Sequence, residues 1–129
     1  MSDVIRLALA DDQALVRMGL KALLGSFNHL QVVIEAENGE QLLQALSSNE
    51  IDVILSDIRM PGMDGFGLLG KLREQDIQIP VILLTTFDEP DFPLQAAATG
   101  AQGFLLKDAS PEDLVDAIER VAKGETLFA

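Results

Sequence analysis

Apolar residues in this chain fall into short, nearly unbroken runs. The runs are separated by stretches in which apolar positions recur every three or four residues. They lie at residues 4–10, 31–36, 53–56, 81–85 and 103–106. Short β-rich runs with little polar interruption suit strands covered on both faces. The intervening stretches predict helices. One opens after Asp11 and Asp12. Another opens at Asn38, where Gln41 three residues on completes the spacing of a capping box ahead of Leu42, Leu43 and Leu46. Residues 65–74 carry Phe66, Leu69 and Leu72 on one face. A fourth helix closes at Gly100, a glycine C-cap. Ser110 followed by Pro111 is a strong N-terminal signal, and Leu114, Ile118 and Val121 give the last helix its apolar face. Strands and helices alternating at this spacing predict an α/β domain with a parallel sheet and helices on both sides.

Composition narrows the function. With 129 residues the chain suits one domain, and 48 % hydrophobic content supports a substantial core. No apolar run is long enough to span a membrane, and there is no signal-peptide pattern. There is no cysteine, hence no thiolate chemistry, and this fits a cytoplasmic location. Nine Lys and Arg against 21 Asp and Glu leave a net charge of −12. Such a surface repels nucleic acid and anionic membranes, so any DNA binding must belong to another domain.

In a parallel sheet of this kind ligands bind beyond the carboxyl ends of the strands. The first strand is followed by Asp11 and Asp12, the third by Asp57, the fourth ends in Thr85, and the fifth leads to Lys107. Adjacent aspartates at a strand end repel one another, and a cation would relieve them. Oxygen ligands without His or Cys favour Mg²⁺ over zinc, and Mg²⁺ commonly binds with phosphate oxygens. Lys107 suits a phosphoryl group, Thr85 can donate to one, and Asp57 is a natural nucleophile for an aspartyl phosphate.

The stretches ALADDQALVRMGL, DVILSDIRMPGMDG, VILLTTF and GAQGFLLKDASPEDLVDAIERVAKGE resemble the receiver domain of two-component response regulators. That domain belongs to the CheY-like superfamily, and the details are most similar to its NarL/FixJ-type subfamily. The resemblance covers nearly the whole chain. It implies a flavodoxin-like, doubly wound fold with five parallel strands in the order 2-1-3-4-5. It implies that Asp57 accepts a phosphoryl group from a phosphohistidine of a sensor histidine kinase. Mg²⁺ would be held by Asp12, Asp57 and the backbone carbonyl of Arg59, and by Asp11 through a water. Lys107 would pair with the phosphoryl group and Thr85 would be the switch hydroxyl. Phe104 would be the switch aromatic, without the hydroxyl that a tyrosine would bring there. Pro61 would shape the loop after Asp57, and Gly65 would begin the next helix.

Taken singly, each residue has a plainer reading. Asp12 could cap the first helix, Asp57 could form a turn, and Thr85 could be an ordinary strand residue. Lys107 could be a solvated charge, Phe104 a core residue, and Asp64 a cap for the third helix. His29 reads as a loop residue, and Glu35 and Glu37 have no role at the site. Arg59, two residues past Asp57, is expected to govern water access and phosphate lifetime. The fourth helix is expected to turn Leu94, Ala97, Ala98 and Ala101 toward the sheet. Such small side chains anchor it weakly and suit it to a switch in which Thr85 and Phe104 move and the face of helix four, strand five and helix five rearranges. Pro90 and Pro93 predict that this helix starts late, near Asp91 or Phe92.

Other classes fit less well. A hydrolase of the haloacid dehalogenase type needs a second acid where Arg59 stands. An FMN carrier needs a phosphate cradle where ADDQA offers carboxylates. A pseudo-receiver bound only to other proteins would lack part of the acidic and Lys set. At KGETLFA the resembled subfamily continues through a linker into a helix-turn-helix, LuxR-type DNA-binding domain, of which residues 1–129 carry no pattern. The resemblance thus implies a receiver belonging either to a transcription regulator or to a stand-alone switch acting through protein contacts, with a homodimer on phosphorylation as a further expected partner state.

Overall fold

The computed structural model of the chain describes residues 4–86 and 91–127. Strands β1 (Ile5–Ala10), β2 (Leu30–Ala36), β3 (Val53–Asp57), β4 (Val81–Thr85) and β5 (Gly103–Leu106) form one sheet. All its pairings are parallel and its order is β2-β1-β3-β4-β5. Helices α1 (Ala14–Gly25), α2 (Gly39–Leu46), α3 (Gly65–Glu74), α4 (Asp91–Thr99) and α5 (Pro111–Ala122) connect the strands and follow the last.

The unbroken apolar runs divide their residues between two cores, because successive strand side chains point to opposite faces. Ala8, Ala10, Ile54, Val81 and Leu83 meet Leu42, Leu68, Leu69, Leu72 and Ala96 on one side of the sheet. Leu7, Leu9, Val53, Leu55, Ile82 and Leu84 meet Leu24, Leu114, Ile118 and Val121 on the other. Helices α2, α3 and α4 therefore cover one face, and α1 and α5 the other.

The caps hold the helices as the sequence suggests. Asn38 accepts the Gln41 N–H at 2.9 Å, while the Gln41 side chain reaches back to the Glu37 N–H at 2.9 Å. Ser110 accepts from Asp113 and Asp64 from Gly67. Asp12 does not cap α1. The N-cap is Gln13, without a side-chain bond, and the carboxylate of Asp11 accepts the Gln13 N–H at 2.9 Å. Strand bounds shift slightly. β1 begins at Ile5, β2 one residue early at Leu30, and β3 runs one residue further to Asp57, which pairs with Leu84 of β4.

Helix α4 corrects the expected face. Ala96 is its fully buried residue and Phe92 packs against the core, whereas Leu94 is 74 % exposed and Ala97 and Ala98 also face out. Ala101 is buried, but beyond the helix end. Three successive alanines carry no phase of their own. The ring of Phe92, with far more area to bury, sets the rotation of the helix. One buried alanine still anchors the helix lightly. Asp91 is its first described residue, and Pro93 stands in its first turn, where a missing N–H costs nothing. Pro90, and with it the expected late start, lies outside the described residues. At the other end Gly100, with φ near +100°, closes α4. The Ala101 N–H returns to Ala96 and the Gly100 N–H to Ala97, the paired bonds of a Schellman cap.

Candidate functional site

Strand register assembles the site. Ala10 of β1 lies opposite Ser56 of β3, so the next residues, Asp11 and Asp57, stand side by side at adjacent strand ends. Thr85 lies opposite Leu106, and the Lys107 N–H donates to the Thr85 carbonyl at 2.8 Å. Asp11, Asp57 and Thr85 are buried, while Asp12 is exposed.

The Lys107 ammonium donates to Asp11 Oδ2 at 2.7 Å and to Asp57 Oδ2 at 3.0 Å. The side chain is only 10 % exposed, so these are well-shielded ion pairs. Asp11 is held further by the Gln13 N–H on Oδ1 and by Arg17, which donates to its backbone carbonyl at 2.6 Å. Ser56 Oγ donates to the Asp57 carbonyl at 2.9 Å. Burial pushes the Asp57 carboxyl above its ordinary value. The Lys107 bond and charge pull it back, and the nearby Asp11 charge adds to the push. Burial alone would lower the Lys107 ammonium, but its bonds to Asp11 and Asp57 outweigh this and hold it above its ordinary value.

Asp11, Asp12 and Asp57 each offer an oxygen, and the three oxygens lie within 4.8 Å of one another. Three carboxylates against one ammonium leave an excess of negative charge that suits a dication. Opposite ligands of an octahedral Mg²⁺ stand about 4.2 Å apart, so small side-chain movements would close this set on the ion. The donors are all oxygen, which fits Mg²⁺ rather than zinc.

Two clefts flank the cluster. One, of about 370 Å³, is lined by Asp12, Arg59, Met60 and Asp64. The other, of about 360 Å³, is lined by Thr85, Thr86, Leu106, Lys107 and Asp108. Of the residues singled out in the sequence, Asp11, Asp12, Asp57 and Lys107 converge directly. Thr85 stands at the neighbouring strand end. Arg59 is exposed, and its guanidinium lies 5.9 Å over the ring of Phe92. Phe104 is half-buried on β5 and packs on the core away from the carboxylates. Pro61 is exposed in the loop after β3. Gly65 begins α3, and its N–H donates to Ile58 at 2.8 Å. A Cβ there would stand 2.5 Å from the Asp57 carbonyl oxygen, so only glycine lets α3 start this close to β3.

A family model, the response regulator receiver domain, matches residues 7–119. The chain belongs to the response regulator receiver family. The receiver is 38 % identical over 121 residues to the nitrate/nitrite response regulator protein NarL of Escherichia coli K12, covering 94 % of this chain and 56 % of that protein. It is 34 % identical over 126 residues to the response regulator UvrY of the same strain, covering 98 % of this chain and 58 % of UvrY. It thus spans little more than half the length of these curated relatives. Among solved structures, the receiver domain of the putative response regulator NarL from Mycobacterium tuberculosis aligns with a TM-score of 0.90 and 36 % identity, over 95 % of this chain and 99 % of that one. The five-stranded parallel architecture expected from the sequence is therefore that of a receiver. No helix among the described residues is long and apolar enough to cross a membrane.

Sequence reasoning missed two supports of the site and one tie at the opposite edge of the sheet. Gly39 donates its N–H to the Met63 carbonyl at 3.1 Å and tethers the loop after β3 to α2, with no room for a Cβ beside the Met63 side chain. Arg17 holds the Asp11 backbone. Arg73 donates to the carbonyls of Ile77, Ile79 and Gly100 and to the side chain of Gln102. An arginine amid the apolar positions of α3 was the one available signal for the last.

Proposed function

We propose that this receiver is a phosphorylation-driven switch in which Asp57 accepts a phosphoryl group from a phosphohistidine of a sensor histidine kinase. The observation that carries this reading is the double ion pair of Lys107 with Asp11 and Asp57 beside a third carboxylate, Asp12. An Asp57 carboxylate oxygen attacks phosphorus, the P–N bond to the imidazole breaks, and the imidazole leaves with its electron pair. Lys107 already sits between two carboxylates and can follow the negative charge onto the phosphoryl oxygens. The Thr85 hydroxyl, at the next strand end, can donate to one of them. Asp12, Asp57 and the Arg59 carbonyl would hold Mg²⁺, with Asp11 acting through a water. When bound, the ion neutralises phosphoryl charge during transfer.

The donor has an evident approach. Leu15 and Met18, in the first turns of α1 just after the aspartates, are 84 % and 61 % exposed in a strongly acidic chain. An apolar helix face beside the acceptor suits docking of the kinase's histidine-bearing helix. Output would run through α4, β5 and α5, from the cytoplasm to transcription by way of a helix-turn-helix domain, with dimerisation on phosphorylation. The domain would catalyse its own phosphorylation and dephosphorylation without turning over small substrates.

The test is intact mass after incubation with acetyl phosphate, with and without Mg²⁺, for the native chain and Asp57→Ala. One phosphoryl group that requires both Mg²⁺ and Asp57 supports the reading. No gain from folded protein, with acetyl phosphate or with a phosphorylated kinase, overturns it.

A further inference from the structure

The segment that follows α5 does not leave the domain. Gly124, with φ near +100°, closes the helix with the paired bonds of a Schellman cap, Gly124 N–H to Val121 and Glu125 N–H to Arg120. The Glu125 carboxylate then accepts from Arg120 at 3.0 Å. Two residues later Leu127 lies parallel to Gly103 on the outer edge of β5. Its N–H donates to the Gln102 carbonyl at 2.7 Å, and its carbonyl accepts the Phe104 N–H at 3.3 Å. The Leu127 side chain packs against the core on the α1 and α5 side. Between the segment, α5 and β5 lies a cleft of about 360 Å³, bordered by Phe104, Asp116, Arg120 and Leu127 among others.

We infer that residues 124–127 form a strap that closes the edge of β5 while Asp57 is unmodified and is loosened when Asp57 is phosphorylated. This rests on the function proposed above. β5 is only four residues long. One end passes straight into Lys107, which is bonded to both Asp11 and Asp57. At the other end Gly103 lies opposite Leu127, and Gln102 and Phe104 on either side of it hold the strap. A phosphoryl group on Asp57 must re-pair the Lys107 ammonium, and so short a strand transmits the change as a unit. The strap is poised to respond. Its bond to Phe104 is the longer of its two ladder bonds, and its ion pair is exposed and worth little. Weakly held edges are where local opening begins. The cleft beside Phe104 gives strand and strap room to move.

Residue-resolved amide exchange by NMR tests this, with intact mass followed in parallel on the same samples. The reporters are the Phe104 and Leu127 amides, whose acceptors are the carbonyls of Leu127 in the strap and of Gln102 just before β5. With acetyl phosphate and Mg²⁺, exchange at both is expected to quicken about ten-fold in the native chain and stay unchanged in Asp57→Ala. Coupling is reciprocal, so Leu127→Ala is expected to raise the phosphorylated fraction at fixed acetyl phosphate about two-fold or more. A phosphoryl group seen by mass with unchanged exchange at both amides overturns the strap alone. So does equal quickening in Asp57→Ala. Absence of any mass gain, with acetyl phosphate and with a phosphorylated kinase alike, removes the proposed function, and the strap with it.

Discussion

Lys107 reaches Asp57 across 3.0 Å, from the end of β5 to the end of β3, with β4 lying between them in the sheet. The lysine stem thus bridges over a strand to serve a carboxylate 50 residues away in sequence. Among the described residues, Lys107 is the cation bonded to the Asp57 carboxylate.

Removing that ammonium leaves Asp11 and Asp57 buried and mutually repelled. Lys107→Met is expected to lower stability by about 3 kcal/mol at neutral pH without divalent cations, as breaking one side of a buried pair does. Urea denaturation measures this. Added Mg²⁺ is expected to recover part of the loss, and phosphoryl acceptance is expected to fall sharply by intact mass.

The pH dependence follows from directions alone. Asp57 is held above 3.8, so the native state keeps its proton longer than the unfolded chain does. Its contribution to stability therefore declines as pH rises from 3.8 through the elevated native value. Asp57→Asn is expected to remove that decline and to be the more stable form near neutrality without divalent ions. Mg²⁺ at about 100 times its dissociation constant should add about 2.7 kcal/mol to the native chain and much less to the variant. Lys107 acts at the other extreme. Its native value is raised, so its contribution is complete below 10.5 and disappears as pH climbs through the raised value. Denaturant titrations across acid and alkaline series check both.

Two glycines of α3 separate close approach from mere flexibility. A Cβ at Gly65 meets Asp57 and Ile58 backbone at 2.5 Å and 2.9 Å, whereas a Cβ at Gly70 meets nothing within 4 Å. Gly65→Ala is expected to cost about 2 kcal/mol and to slow phosphorylation by displacing the loop after Asp57. Gly70→Ala, in the same helix, is expected to gain about 0.5–1 kcal/mol and to leave phosphorylation unchanged. Thermal melts and intact mass distinguish them.

Arg73 ties the ends of α3 and α4 to the start of β5. Its guanidinium serves three carbonyls and the Gln102 side chain, whose oxygen also accepts the Val81 N–H at 2.8 Å. A lysine cannot fork to these acceptors. Arg73→Lys is expected to cost about 2 kcal/mol and to speed amide exchange at Gly100 and Ala101, the closing turn of α4.

Several features were legible in the chain itself. Five apolar runs, three helix caps and the Gly100 stop were readable because they are local. A strand covered on both sides must be apolar throughout, and an orphan N–H at a helix start needs a nearby oxygen. The acidic and basic residues of the site were readable because the ends of parallel strands share one edge. The strand order and the residue roles came from likeness to a family rather than from spacing. What only the tertiary structure decided was contact at long range. The rotation of α4 was set by Phe92 finding the core, since three alanines in a row hold no phase. The first helix took Gln13 rather than Asp12 at its N-cap, while Asp11 accepts the Gln13 N–H. Lys107 came to serve two carboxylates, Arg73 became a four-way tie, and Leu127 folded back onto β5. Each of these depends on which backbone groups lie opposite one another once the sheet has closed, and periodicity along the chain carries no record of that.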